Sequence, residues 1–101
     1  MKPELSIIIP AFEEAERLGK SVRKILAYIQ NEKLNAELII VDDGSMDKTA
    51  EIAEDSCAEF PEIQTKVIRY EQNKGKGFAV KTGLLAARAD VALFSDADLS
   101  T

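Results

Sequence analysis

Apolar runs of two kinds alternate along the chain. Leu5-Ser6-Ile7-Ile8-Ile9 is β-branched and almost continuously apolar, the pattern of a strand buried on both faces. Pro10 has no N–H to donate and is expected to end its ladder. Residues 11–16 read as a loop running into a helix. Leu18, Val22, Ile25, Leu26 and Ile29 then recur at helical spacing as one apolar stripe, behind acidic residues that suit a helix N-terminus. A polar connection at 31–35 leads to a second buried strand, Glu37-Leu38-Ile39-Ile40-Val41, which stops at Asp42 and Asp43. Gly44-Ser45 makes the turn, and Ser45 or Asp47 can cap the helix predicted over about 48–58, with Ala50, Ala53 and Cys57 on one face. Pro61 lies in the next connection. Residues 65–70 alternate more, as in an outer strand with one wetter face. Residues 71–77 form a turn with two glycines. A helix to about residue 88 follows, with Val80, Leu84 and Ala87 expected on its buried stripe. Residues 90–95 are the fourth strand.

The order β-α-β-α-β-α-β, with helical crossovers, predicts a parallel sheet. No repeat, low-complexity tract or linker interrupts it. Right-handed crossovers limit the topologies. The doubly wound solution is a Rossmann-like three-layer α/β fold with strand order 3-2-1-4. Ligands of such sheets bind beyond the carboxyl ends of the strands, where the winding reverses. Here that crevice lies between the loop after Pro10 and the rim at Asp96 and Asp98.

Composition narrows the function. A length of 101 residues implies one domain, and 46% hydrophobic with 31% charged residues is ordinary for a soluble globular chain. A net charge of −5 argues against nucleic acid as a partner, and means that a phosphorylated ligand needs a metal to bridge like charges. The single cysteine, Cys57, cannot form an internal disulfide, which fits a reducing, cytoplasmic compartment. No run is long enough to span a membrane, and the first residues do not open a signal peptide. The absence of histidine excludes a His base and a His metal ligand.

Three of the four strands run into acidic loops: Glu13 and Glu14, Asp42 and Asp43, Asp96 and Asp98. In a parallel sheet these ends share one edge. In any single loop, helix capping explains the acids; three at one rim favour a site. Leu93-Phe94-Ser95-Asp96-Ala97-Asp98 delivers two carboxylates one residue apart, and such oxygen ligands suit Mg²⁺ or Mn²⁺. The Gly75-x-Gly77 turn is not a dinucleotide fingerprint, because it follows the third strand and Val80 occupies the third glycine position. Lys74 and Lys76 read equally well as ligand contacts or as solvated loop charges.

Four segments together resemble a known family. Pro10-Ala11-Phe12-Glu13-Glu14, Val41-Asp42-Asp43-Gly44-Ser45-Met46-Asp47-Lys48-Thr49, Asn73-Lys74-Gly75-Lys76-Gly77 and Asp96-Ala97-Asp98-Leu99-Ser100-Thr101 are similar to motifs of the inverting family 2 glycosyltransferases of GT-A fold. The likeness is greatest to the branch that transfers sugars to polyprenyl or dolichyl phosphate, the dolichyl-phosphate β-glucosyltransferases in particular. It spans residues 5–101. The family usually has Asn where this chain has Glu13, and Met46 replaces a common small polar residue.

The resemblance implies roles. The loop of Pro10, Ala11, Phe12 and Glu14 wraps the nucleobase and ribose. Asp42 meets the imide N–H of a uracil or guanine, and Asp43 holds the turn. Lys74 or Lys76 lies near the base or phosphates. Asp96 approaches the ribose and, with Asp98, the metal. Asp98 carries the catalytic cation that draws off the departing diphosphate.

The expectation is therefore that residues 1–101 form the nucleotide-sugar-binding half of a glycosyltransferase, with the acceptor half absent. The complete enzyme would transfer a sugar, for example glucose from UDP-glucose, to a polyprenyl phosphate at the cytoplasmic face of a membrane. The isolated chain is expected to be inactive and to self-associate through an exposed strand 4. The alternatives are a non-catalytic nucleotide-binding module and a purely structural α/β domain.

Overall fold

A computed structural model describes residues 2–95. The elements are β1 (Leu5–Ala11), α1 (Ala15–Asn31), β2 (Ala36–Asp43), α2 (Thr49–Ala58), β3 (Gln64–Tyr70), α3 (Lys76–Ala86) and β4 (Val91–Phe94). The four strands form a parallel sheet in the order β3-β2-β1-β4, the doubly wound arrangement predicted.

The near-continuous apolar runs of β1 and β2 follow from helices on both faces. Ile9, Leu38 and Ile40 point to one face and pack with Leu18, Val22, Leu26 and Ile29 of α1 and Ala53 and Cys57 of α2. Ile8, Ile39 and Val41 point to the other and meet Ala79 of α3. Every residue of β2 is buried. The outer strand β3 alternates between exposed and half-buried positions, as its mixed sequence predicts.

Pro10 departs from expectation in part. Pairing of β1 with β2 runs through Pro10 to Ala11, opposite Val41 and Asp42. Pairing with β4 stops at Ile8 opposite Phe94. The Ile8 carbonyl accepts the Ser95 N–H at 2.9 Å, so Ile8 faces β4, and the two-residue alternation turns Pro10 to the same side. The missing N–H therefore ends only the β4 ladder.

The stripe predicted for α3 is corrected in part, since Ala87 packs against the core beside Ala79 but lies past the helix end. The buried residues are Ala79 and Gly83, whereas Leu84 is 47% exposed. The helix ends at Ala86, since Ala87 is extended at ψ 139°. The cause is a close approach. A Cβ on Gly83 would lie 2.5 Å from Ile8 Cγ2 and 3.3 Å from Val41 Cγ2. The sheet accepts α3 only along its smallest residues, which turns Leu84 and Leu85 outward.

At the edge where the strands begin, Glu37 is buried and accepts the Ser6 hydroxyl at 2.5 Å and the Arg88 N–H at 2.7 Å, with Arg88 Nε at 3.3 Å. Ser6 Oγ accepts the Ala89 N–H at 3.2 Å. Among the described residues, no helix is long and apolar enough to cross a membrane.

Candidate functional site

Because the strands are parallel, the loops after β1, β2 and β3 share one edge, and β2 brings two buried carboxylates there. Asp42 is fully buried. Its Oδ1 accepts the Ser45 N–H at 3.0 Å, closing the tight turn at Gly44. Its Oδ2 is buried and accepts no hydrogen bond from any described residue. Arg69 Nε stands 3.6 Å away, and Arg69 Nη2 donates to the Ser45 carbonyl at 3.3 Å.

Asp43 points to the β3–α3 loop. Its Oδ1 accepts the Tyr70 hydroxyl at 2.6 Å and the Lys74 N–H at 2.9 Å. Its Oδ2 accepts Asn73 Nδ2 and the Gly75 N–H, both at 2.9 Å. Burial, then the bond to Asp43 and the negative charge of both aspartates, push the Tyr70 phenol above its ordinary range. The turn role expected of Asp43 thus belongs to Asp42, while Asp43 holds a different loop.

The β1–α1 loop is tied to the start of α2. The Glu13 N–H donates to Ser45 Oγ at 2.7 Å and the Glu14 N–H to Thr49 Oγ1 at 3.0 Å. Ser45 therefore does not cap α2. The N-cap of α2 is Lys48, without a side-chain cap bond; just ahead of it Asp47 accepts the Thr49 hydroxyl and, at 3.0 Å, the Thr49 N–H. The Thr49 hydroxyl, then its N–H and that of Ala15, outweigh desolvation and hold the Asp47 carboxyl below its usual range. Glu13 adopts a left-handed φ of 50°.

The residues singled out by sequence fall as follows. Pro10 and Ala11 are buried at the end of β1, and Phe12 is exposed beside them. The Glu14 carboxylate pairs with Arg17 Nη2 at 2.7 Å. Lys74 Nζ lies 5.3 Å from the centre of the Phe78 ring, which packs edge-on against Tyr70. Lys76 opens α3. Asp96 and Asp98 lie outside the described residues. Loops 12–14, 44–48 and 71–75 thus meet around Asp42 and Asp43. An open groove of about 830 Å³ runs past Met46, Lys48 and Arg69 along α2 and β3.

Sequence reasoning passed over Arg69, Tyr70 and Asn73. The register supplies the signal, since Asp42 is opposite Arg69 and Asp43 opposite Tyr70 in the ladder. Among the described residues, no cluster of three or more potential ligands is arranged to hold a metal ion. Asp43 has both oxygens occupied, and Asp42 has one.

Known proteins resemble this chain in sequence and in fold. Dolichyl-phosphate beta-glucosyltransferase of Homo sapiens is 32% identical over 97% of the chain, and that of Saccharomyces cerevisiae 36% over 93%. The chain spans only 32% and 29% of those proteins. A mannosyltransferase of Pyrobaculum calidifontis has the same fold, with a TM-score of 0.84 at 23% identity over 97% of this chain and 28% of its own. Glucosyl-3-phosphoglycerate synthase of Mycobacterium tuberculosis, solved with Mn²⁺, UDP-glucose and phosphoglyceric acid, superposes with a TM-score of 0.74 at 28% identity over 97% of this chain and 34% of its own. The family model for Glycosyl transferase family 2 matches residues 6–101, and the chain belongs to that family.

Proposed function

We propose that this chain is the donor-binding part of a glycosyltransferase that takes its sugar from a nucleoside diphosphate and passes it to a polyprenyl or dolichyl phosphate. The observation that carries the reading is Asp42 Oδ2: a buried carboxylate oxygen without a hydrogen bond from any described residue, at the edge where three loops meet. Burying such a group unsatisfied is costly. An imide N–H, as in uracil or guanine, would satisfy it.

In this reading Phe12 and the backbone of the β1–α1 loop border the base. Lys74 and Lys76 face the diphosphate. Asp96 approaches the ribose and shares the cation with Asp98. The Mn²⁺ and UDP-glucose in the mycobacterial synthase support a divalent cation and a nucleotide-sugar donor. When bound, Mg²⁺ or Mn²⁺ would neutralise charge on the departing diphosphate. A lipid-phosphate acceptor is already anionic and needs little help from a general base. Such an acceptor would bring the complete enzyme to a membrane, on its cytoplasmic face. Self-association through β4 belongs to the same proposal, since Val91, Leu93 and Phe94 are each more than half exposed on an edge strand.

Calorimetric titration with UDP, GDP, CDP and ADP, with and without Mn²⁺, tests the site. The expected result is metal-dependent binding of UDP or GDP above the other two. Equal binding of all four, or none, overturns it. A transfer assay with UDP-glucose and dolichyl phosphate separates the readings. Donor binding without transfer by these 101 residues, with transfer by a chain of the relatives' length, fits a donor half. Absence of transfer in both favours the binding module.

A further inference from the structure

Asp42 and Asp43 are neighbours in sequence with opposite roles. An ionised carboxylate has about four acceptor positions, and in Asp43 all four are taken, two donors on each oxygen. The residue is 3% exposed. It has no capacity left for a metal or a nucleotide.

Its donors come from the last residue of β3 and from three consecutive residues of the loop, 73 to 75. The Asp43 carbonyl also accepts Asn73 Nδ2 at 3.2 Å. Gly44 completes the contact. At φ 74°, a Cβ there would lie 2.5 Å from both the Asn73 nitrogen and the Gln72 carbonyl carbon. The β2–α2 turn and the glycine loop therefore touch backbone to backbone. One peptide bond separates Asp43 from Asp42, so the loop that bears Lys74 and leads into Lys76 of α3 is referenced directly to Asp42 Oδ2.

We propose that Asp43 is a positioning residue. It contacts no ligand. By locking residues 73–75 to the end of β2, it fixes the spacing between the loop's cationic residue and Asp42, and so between the phosphate end and the base end of a nucleoside diphosphate. This rests on the nucleotide-site reading above. The gain is entropic, because a loop ordered before the ligand arrives need not be ordered by it.

Two variants test it. In Asp43→Asn, the amide NH₂ must face the N–H of either Lys74 or Gly75, so one of the two backbone bonds that lock the loop is lost in either orientation, whereas the Tyr70 hydroxyl can turn and accept. Gly75→Ala disturbs the loop by another route: Gly75 has φ 96°, and its added Cβ meets nothing within 4 Å, so the core is untouched. Each variant of the 101-residue chain is titrated with UDP and GDP, and with uridine and guanosine, in Mn²⁺. Hydrogen exchange of the Lys74 amide is followed in parallel. The expected result is faster exchange, a loss of about tenfold in diphosphate affinity, and nucleoside affinity within about twofold of the wild type. Unchanged diphosphate affinity in a variant with an unprotected loop overturns the proposal. So do equal losses for diphosphate and nucleoside, which mark a merely structural role. If Asp43→Asn does not fold, Gly75→Ala decides. Failure of the nucleotide reading is distinct, because it shows in the wild-type chain, as no binding or as equal binding of UDP, GDP, CDP and ADP, and it removes Asp43's role as well.

Discussion

Arg69 faces Asp42 across the β2–β3 ladder at a range that is electrostatic and falls outside hydrogen bonding, with Nε 3.6 Å from Oδ2. The aspartate side chain is wholly buried, and the arginine side chain is 49% exposed. The guanidinium is the counter-charge that makes the buried oxygen tolerable. Arg69→Met keeps the aliphatic stem and removes the charge. It should lower stability by about 1 kcal/mol, a figure held down by the solvation of the guanidinium. Urea unfolding measures it, and an unchanged midpoint would mean that the carboxylate is compensated elsewhere.

Glu13 occupies a backbone conformation that suits another residue. Its φ of 50° costs a side chain with a Cβ about 1 kcal/mol, and Asn tolerates it best. Asn is also what the family usually carries there. Glu13→Asn retains the N–H that donates to Ser45 and should raise stability by about 0.5–1 kcal/mol, seen as a higher melting temperature. A lower one would mean that the Glu13 side chain contributes more than its backbone costs.

Gly83 shows the reverse. Alanine is the better helix former by about 1 kcal/mol, yet its methyl would lie 2.5 Å from Ile8 Cγ2. Ile8 is fully buried in the sheet and cannot swing aside. Gly83→Ala should therefore destabilise by about 1–3 kcal/mol net. A gain in stability would show that α3 can lift from the sheet at little cost.

Acid should act through Glu37. Burial opposes its ionisation, but the Arg88 N–H, the Ser6 hydroxyl and the Arg88 guanidinium outweigh that, and its pKa lies below the ordinary 4.5. The folded chain then binds fewer protons than the unfolded chain in this range. The stabilisation is complete above pH 4.5 and is lost as pH falls through the lower folded-state value. Glu37→Gln should cost about 1–3 kcal/mol at neutral pH, and its stability should fall less steeply in acid than that of the wild type. Parallel acid curves for the two proteins would exclude this role.

What the sequence reveals depends on how far apart the interacting residues lie. The runs of β1 and β2 and the wetter β3 are visible because burial on one or both faces writes a period into neighbouring residues. The face of α3 was misassigned because Val80 and Leu84 are large and apolar, whereas the sheet admits the helix along Ala79 and Gly83, which carry little hydrophobic signal. The acids ending β2 were legible as candidates. Their division of labour was not, because the partners of Asp43 lie 27 to 32 residues away and meet it only through the β2–β3 register. The roles assigned to Asp96 and Asp98 rest on the motif alone.

Two of the three buried carboxylates of β2, Glu37 and Asp43, have a joint consequence for α3. Asp43 holds the chain entering that helix, at Lys74 and Gly75, and Glu37 holds the chain leaving it, at Arg88. From Glu37 to Asp43 the strand runs about 20 Å at about 3.3 Å per residue, and the helix between the clamps runs about 16 Å at 1.5 Å per residue. The strand thus acts as a ruler for the helix. An insertion or deletion of one turn, about 5.4 Å, would pull one clamp off its carboxylate, so α3 should tolerate substitution on its outer face far better than any change in its length.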